Sequence, residues 1–188
     1  MIAIGIDPGT RNLGWGVVRS CGQKLQHLDH GVIRVGNLDS LSTRLVAIGE
    51  QLDEVLVRFS PSVGSVEGMF FDKNAQSAAK LGHARGVVLF CLERRKVRLV
   101  EHAPARVKRT LTGSGRAEKS QVAQMVSAIL SLDETPPHDA SDALAIAITA
   151  LRVDPRQAAV QIDQARARRR QGSAHFAEAL ARTRNARS

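Results

Sequence analysis

Residues 2–18 of the chain read IAIGIDPGTRNLGWGVV, and their reading decides the fold. Ile2 to Ile6 form an apolar, partly β-branched run, as a buried strand requires. The run ends on a carboxylate, Asp7, and Pro8-Gly9 then turns the chain. Residues 14–20 (GWGVVRS) read as a second strand and residues 24–35 (KLQHLDHGVIRV) as a third. Connections this short favour an antiparallel meander. A buried strand has no use for a charge at its tip, so Asp7 is the first candidate functional residue. The glycines around it have two possible uses. Gly9, Gly14 and Gly16 would let a phosphate backbone approach the strand, or they serve a turn (Gly9) and a helix packed closely on the sheet (Gly14 and Gly16). Thr10 and Arg11 are candidates for contacts to phosphate oxygens. Trp15 alternates with the two glycines, so it faces the opposite side and is expected in the core.

Outward from this meander the pattern changes period. Leu41, Leu45, Ile48, Leu52 and Val55 recur at helical spacing, with Asp39 or Ser40 as cap. Residues 61–67 (PSVGSVE) predict a short strand ending on Glu67, and residues 74–94 a helix that carries Gly82 and Gly86. Residues 97–101 predict a fifth strand, and helical patterns follow at 104–111, 117–131 and 139–151. Three strands, helix, strand, helix, strand and then helices make an α/β chain. Its sheet is expected to be mixed and five-stranded, three antiparallel strands first and parallel ones after, with helices on both faces. Residues 1–154 are expected to form one domain. Residues 155–188 are an Arg-, Ala- and Gln-rich extension with too few large apolar residues for a core of its own, expected to be flexible or partly helical.

The 188 residues carry 27 Lys and Arg against 18 Asp and Glu, a net charge of +9. Nine of the arginines and three of the acids fall in residues 152–188, so most of the excess lies in the tail. A basic tail suits phosphate backbones, and suits a solubilising end equally. Cys21 and Cys91 make no metal or disulfide pattern. The first apolar run is too short for a signal peptide, and no stretch reaches the ~20 apolar residues that span a bilayer. A cytoplasmic protein without membrane contact is the expectation.

Three chain regions place acids at informative points. Asp7 ends the first strand and Glu67 the fourth. The stretch HDASDALAIAI puts Asp139 and Asp142 three apart, on one face at the start of a helix. Each has a plain alternative, as a turn residue, an exposed strand end or a helix cap. Jointly they point to a cluster, which mutual repulsion makes tolerable only with cations among the acids. Hard oxygen donors suit Mg²⁺ or Mn²⁺, and two such ions ~4 Å apart can clamp a phosphodiester. Lys119, at a predicted helix start, sits where a positive charge is disfavoured. That suggests contact with a scissile phosphate, against the alternative of a solvated lysine beside Glu118. Lys108, Arg109 and Arg116 extend a basic surface in sequence, and Lys73 and Lys80, seven apart, share a helix face.

Four separated motifs, GIDPGTRNLGWGVV, VEGMFFDKNAQSAAKLGHARGV, GSGRAEKSQVAQMV and HDASDALAIAI, together resemble the RuvC family of Holliday-junction resolvases, from Met1 to about Leu151. The resemblance implies a ribonuclease-H-like fold and a homodimer. It also implies Mg²⁺-dependent nicking of two opposed strands of four-way junction DNA, in recombination and repair. Asp7, Glu67, Asp139 and Asp142 match its four acids, with His138 adjacent as a possible alternative donor. It supports Lys119 as a catalytic cation and points to Phe70, near Glu67, as a base-stacking residue. It also implies work with the RuvA–RuvB branch-migration complex, for which the chain shows no docking motif. The Arg-rich tail goes beyond the family's common core.

Two other readings remain to be tested. A sugar-kinase-like or actin-like ATPase would share the opening strand, acid and glycine hairpin, yet it needs a second related domain, and the opening motif does not recur. A non-catalytic DNA-binding module would use the acids only as caps and bind through the tail. On helix 74–94, Ala75, Ala79, Gly82 and Gly86 form a small-residue stripe, either a dimer seam or the sheet-facing side.

Overall fold

The computed structural model of the chain describes residues 1–38, 40–68 and 75–153. Residues 1–152 cluster as one compact unit. The expected extension at 155–188, Phe70, Lys73 and the alternative cap Asp39 lie outside the described residues. The elements run β1 (Ile2–Asp7), β2 (Asn12–Cys21), β3 (Lys24–Arg34), α1 (Leu41–Phe59), β4 (Val63–Glu67), α2 (Ala75–Arg94), β5 (Arg98–His102), α3 (Pro104–Thr112), α4 (Lys119–Leu130) and α5 (His138–Arg152). The sheet order is β3-β2-β1-β4-β5. β1, β2 and β3 are antiparallel, and β4 and β5 join parallel to β1. The expected mixed sheet is therefore observed, with β1 at its centre.

Strand alternation divides the core between two faces. Ile4 and Ile6 of β1 point to one side, where they meet Ile48 and Leu52 of α1 and Val88 and Leu92 of α2. Trp15 is half-buried on this side, packed against the same cluster, its ring 6.3 Å from that of Phe59. Ser40 caps α1, its Oγ accepting from the Thr43 N–H at 3.0 Å. On the other side Val18 packs with Val107, Val126, Leu144 and Ile148 from α3, α4 and α5. Helices thus cover both faces, as the element order requires.

The second face is shaped by glycine. A Cβ at Gly5 would lie 1.9 Å from the Ala143 carbonyl oxygen, and one at Gly14 2.0 Å from that of Asp139. One at Gly16 would lie 2.6 Å from the Leu144 side chain. Residues 140–150 other than Asp142 are almost wholly buried, so α5 lies flat on β1 and β2. Of the two uses open for Gly14 and Gly16, the structure shows close helix packing. Gly9 serves the turn, where a Cβ would meet the Asn12 carbonyl oxygen at 2.1 Å.

Candidate active site

The sheet register brings the first two acids together. Ile6 pairs with Val66 across the parallel β1–β4 ladder, so the next residues, Asp7 and Glu67, end adjacent strands at the same edge. Neighbouring strands are ~4.8 Å apart. On the other side Asp7 pairs with Gly14, and the missing side chain there admits the Asp139 backbone. The first turn of α5 is thereby pressed against the tip of β1. It carries Asp139, and Asp142 follows one turn on.

Electrostatics report the crowding. Burial first, and then the charges of Asp142, Glu67 and Asp139, together push the Asp7 carboxyl up to about 7, with Lys119 opposing. Glu67 is also raised, first by burial and then by Asp142, while Lys119 and Lys108 pull it down. Four acids from β1, β4 and α5 thus share one field, with two lysines facing it. Lys119 is the first residue of α4, where Gln121 Oε1 accepts the Glu118 backbone N–H at 3.0 Å. The unfavourable placement of its charge is offset by Asp142, whose Oδ2 lies 3.2 Å from Nζ. That carboxylate raises the lysine above its usual value, against its partial burial. His138 Nδ1 lies 3.7 Å from the same oxygen.

Two clefts meet at Glu67. One of about 250 Å³ is lined by Asp7, Pro8, Glu67, Gly68, Leu81, Arg85 and Pro104. A narrower one of about 70 Å³ lies among Glu67, Lys108, Lys119 and Asp142, over an apolar floor that includes Val107, Val122 and Ile146. The oxygen-rich, anionic donor set suits a hard divalent cation in charge and chemistry. Among the described residues, no three His, Cys, Asp or Glu side chains stand close enough together to hold an ion as they are placed here.

Not every candidate contact joins this edge. Arg116 is exposed and lines a different depression, with Leu111, Gln121 and Met125. Lys80 is exposed on α2, and Arg11, also exposed, packs its aliphatic stem near Gly36. Thr10 is half-buried in the turn after β1. The sequence reading missed Arg85, which donates to the Glu67 carbonyl oxygen at 2.6 Å, and His102, which pairs with Glu67 across the β4–β5 ladder. His102 is 2% exposed, and its burial, with Arg106 nearby, pushes its imidazole down to about 4. The only sequence signal for Arg85 is its place beside Ala84 and three before Val88, both on the buried side of α2.

Comparison with known proteins agrees with this architecture. The family model described as "Crossover junction endodeoxyribonuclease RuvC" matches residues 3–150. A crossover junction endodeoxyribonuclease RuvC from Sorangium cellulosum is 51% identical over 151 residues, which are 80% of this chain and 84% of that one. The solved structure of T. thermophilus RuvC in complex with a Holliday junction substrate superposes with a TM-score of 0.75 at 40% identity, over 79% of this chain and 92% of that one. The yeast mitochondrial Holliday junction resolvase Ydc2 shares the fold, with a TM-score of 0.56 at 15% identity, over 78% of this chain and 76% of that one. The ribonuclease-H-like architecture and the match along nearly all of the described unit lead to one conclusion: this chain belongs to the RuvC family of crossover junction endodeoxyribonucleases.

Proposed function

We propose that this protein is a structure-selective endonuclease that resolves four-way DNA junctions by metal-dependent phosphodiester hydrolysis. One observation carries the reading. Acids from β1, β4 and α5, far apart in sequence, share one electrostatic field at the sheet edge, with Lys119 and Lys108 facing them. Caps and exposed strand ends would have no reason to be gathered in this way. This favours the enzyme over the non-catalytic DNA-binding module.

In this reading Asp7, Glu67, Asp139 and Asp142 would hold two Mg²⁺ ions, with Mn²⁺ able to substitute and His138 beside them. Such ions, when bound, lower the pKa of water and stabilise charge on the attacking and leaving oxygens. The chain's own groups do the rest. Asp7 and Glu67, fixed by adjacent strands, form the rigid half of the site, and α5 supplies the other half. Lys119, two-thirds exposed at its side chain, can reach from Asp142 to a phosphate oxygen and stabilise charge that develops in the transition state. Lys108 borders the same cleft and adds to the attraction for the DNA backbone. A homodimer belongs to this reading, because a four-way junction offers two symmetric strands. Among the described residues, a Cβ at Gly82 or Gly86 would meet nothing within 4 Å, and Phe90 on the same helix is 62% exposed. These glycines therefore do not face the sheet, which supports the α2 stripe as the seam.

The test is nicking of a synthetic four-way junction by wild-type protein and Asp7→Asn, across Mg²⁺ and Mn²⁺. Wild type is expected to nick opposed strands in either metal. Asp7→Asn is expected to lose at least ~10³-fold in rate, as when a group essential to the chemistry is removed, and to bind the junction within about two-fold of wild type. Wild-type protein that binds but cuts with no divalent metal would refute the enzyme.

A further inference from the structure

We propose that Arg85 is a positioning residue that fixes the backbone at Glu67, and so the direction of that carboxylate in the site. The inference rests on the role proposed for Glu67 above. Arg85 is 8% exposed, a buried guanidinium in the middle of α2. Its two arms go to different strands. Nη1 donates to the Glu67 carbonyl oxygen at 2.6 Å, and Nη2 to Glu101 Oε1 at 2.7 Å. The side chain thereby ties α2 to the ends of β4 and β5, and it borders the cleft shared by Asp7 and Glu67.

Stability alone gives a weak reason for a buried arginine here, because an apolar residue of similar size often serves as well or better. Position gives a stronger one. Glu67 is the last residue of β4. Past it one ladder-like bond continues, from the Gly68 N–H to the His102 carbonyl oxygen at 2.8 Å. The peptide plane between these residues sets the direction of the Glu67 Cα–Cβ bond, and Arg85 grips that plane by its oxygen. Glu101 holds the guanidinium in place and absorbs its charge. Arg85 reaches Glu67 at its backbone carbonyl oxygen, whereas Lys119 and Lys108 pull down on its carboxyl. A planar fork can hold two acceptors on two strands at fixed angles, and a lysine ammonium cannot reproduce that geometry.

The test compares Arg85→Gln, Arg85→Lys, Glu101→Ala and Glu101→Gln with wild type and Asp7→Asn. Three quantities are read: nicking rate at saturating junction, junction Kd, and Mn²⁺ affinity of the DNA-free protein by electron paramagnetic resonance. Groups that orient metal ligands typically affect metal affinity or activity by ~10–100-fold. Arg85→Gln is expected to lose rate and Mn²⁺ affinity in that range, with junction Kd unchanged within about two-fold. Arg85→Lys should not restore either. Glu101→Ala, at a half-exposed carboxylate, should move both in the same direction by a smaller factor, while Glu101→Gln, which keeps an acceptor but not the charge, should fall between Glu101→Ala and wild type. Recovery of rate and Mn²⁺ affinity in Arg85→Lys would overturn the inference, because a point charge would then suffice. A junction Kd that weakens while rate and Mn²⁺ affinity hold would also overturn it, by making Arg85 a DNA contact. If Arg85→Gln does not fold, Glu101→Ala decides, and wild-type values there refute the clamp. Wild type that nicks while Asp7→Asn does not, with Arg85→Gln and Glu101→Ala both unimpaired, removes this inference alone. Wild type that neither nicks nor takes up Mn²⁺ removes the proposed function and this inference with it.

Discussion

Two sets of glycines in this chain do opposite things. Gly5, Gly14 and Gly16 lie on the sheet beneath α5, where an added Cβ would fall 1.9 to 2.6 Å from helix atoms. Gly82 and Gly86 lie on α2, where an added Cβ would meet nothing within 4 Å among the described residues. The first set is required by an approach already made inside the protomer. The second leaves a helix face open, at some cost to the helix itself. Glycine is thus informative only with its surroundings, and the same substitution tests both sets.

The largest effect is expected at the closed set. Gly14→Ala forces the first turn of α5 to lift or β2 to bend. Overpacking of this kind costs about 3 kcal/mol, and a displacement near 1 Å at reacting groups can cost ~10²-fold in rate. Urea unfolding and junction nicking measure the two. Wild-type behaviour in both would show that α5 is not seated by this contact.

A second experiment asks what the tight seating does to the acids. Asp7 is held near pKa 7 in the folded protein, against 3.8 as its ordinary value. A carboxyl raised on folding binds more protons in the native than in the unfolded state between those values, so stability falls as pH rises. Metal-free protein should therefore be most stable below pH 4 with respect to this group and lose that contribution as pH rises through 7. Asp7→Asn should flatten this part of the profile. Denaturant titrations at several pH values in chelator would show it, and equal slopes in the two proteins would count against the crowding.

The smallest effect is expected at the open set, and with reversed sign. Gly82→Ala and Gly86→Ala should each add about 0.5–1 kcal/mol to the protomer, because alanine costs less entropy in a helix and meets no neighbour among the described residues. Unfolding at protein concentrations where sedimentation shows a monomer isolates that gain. If α2 also forms the dimer seam, the same variants should shift sedimentation towards monomer.

The acids were legible in the sequence because each stands where local patterning breaks. Asp7 and Glu67 close apolar strands, and Asp139 and Asp142 open an apolar helix. Lys119 was legible for the same reason, as a positive charge at a helix start. The strand and helix order was legible because period-2 and period-3.6 segments alternate cleanly, and only boundaries moved, α5 beginning at His138 instead of 139. The use of Gly14 was not decided, since a strand glycine looks the same under a helix and under a phosphate. Arg85 was not legible, because one arginine within a helix carries no mark of where its guanidinium goes. Its two acceptors lie 18 residues upstream and 16 downstream, and only the fold brings them to it.

The seating of α5 also sets an order in time. Synthesis delivers Asp7 early and Glu67 in mid-chain, while Asp139 and Asp142 arrive on the final described helix. Until that helix emerges from the ribosome, the glycine-lined strip of the sheet is bare and the anionic cluster is half complete. If the four acids act as proposed, the nascent chain is inert, and its cutting power arrives with the same element that seals its core.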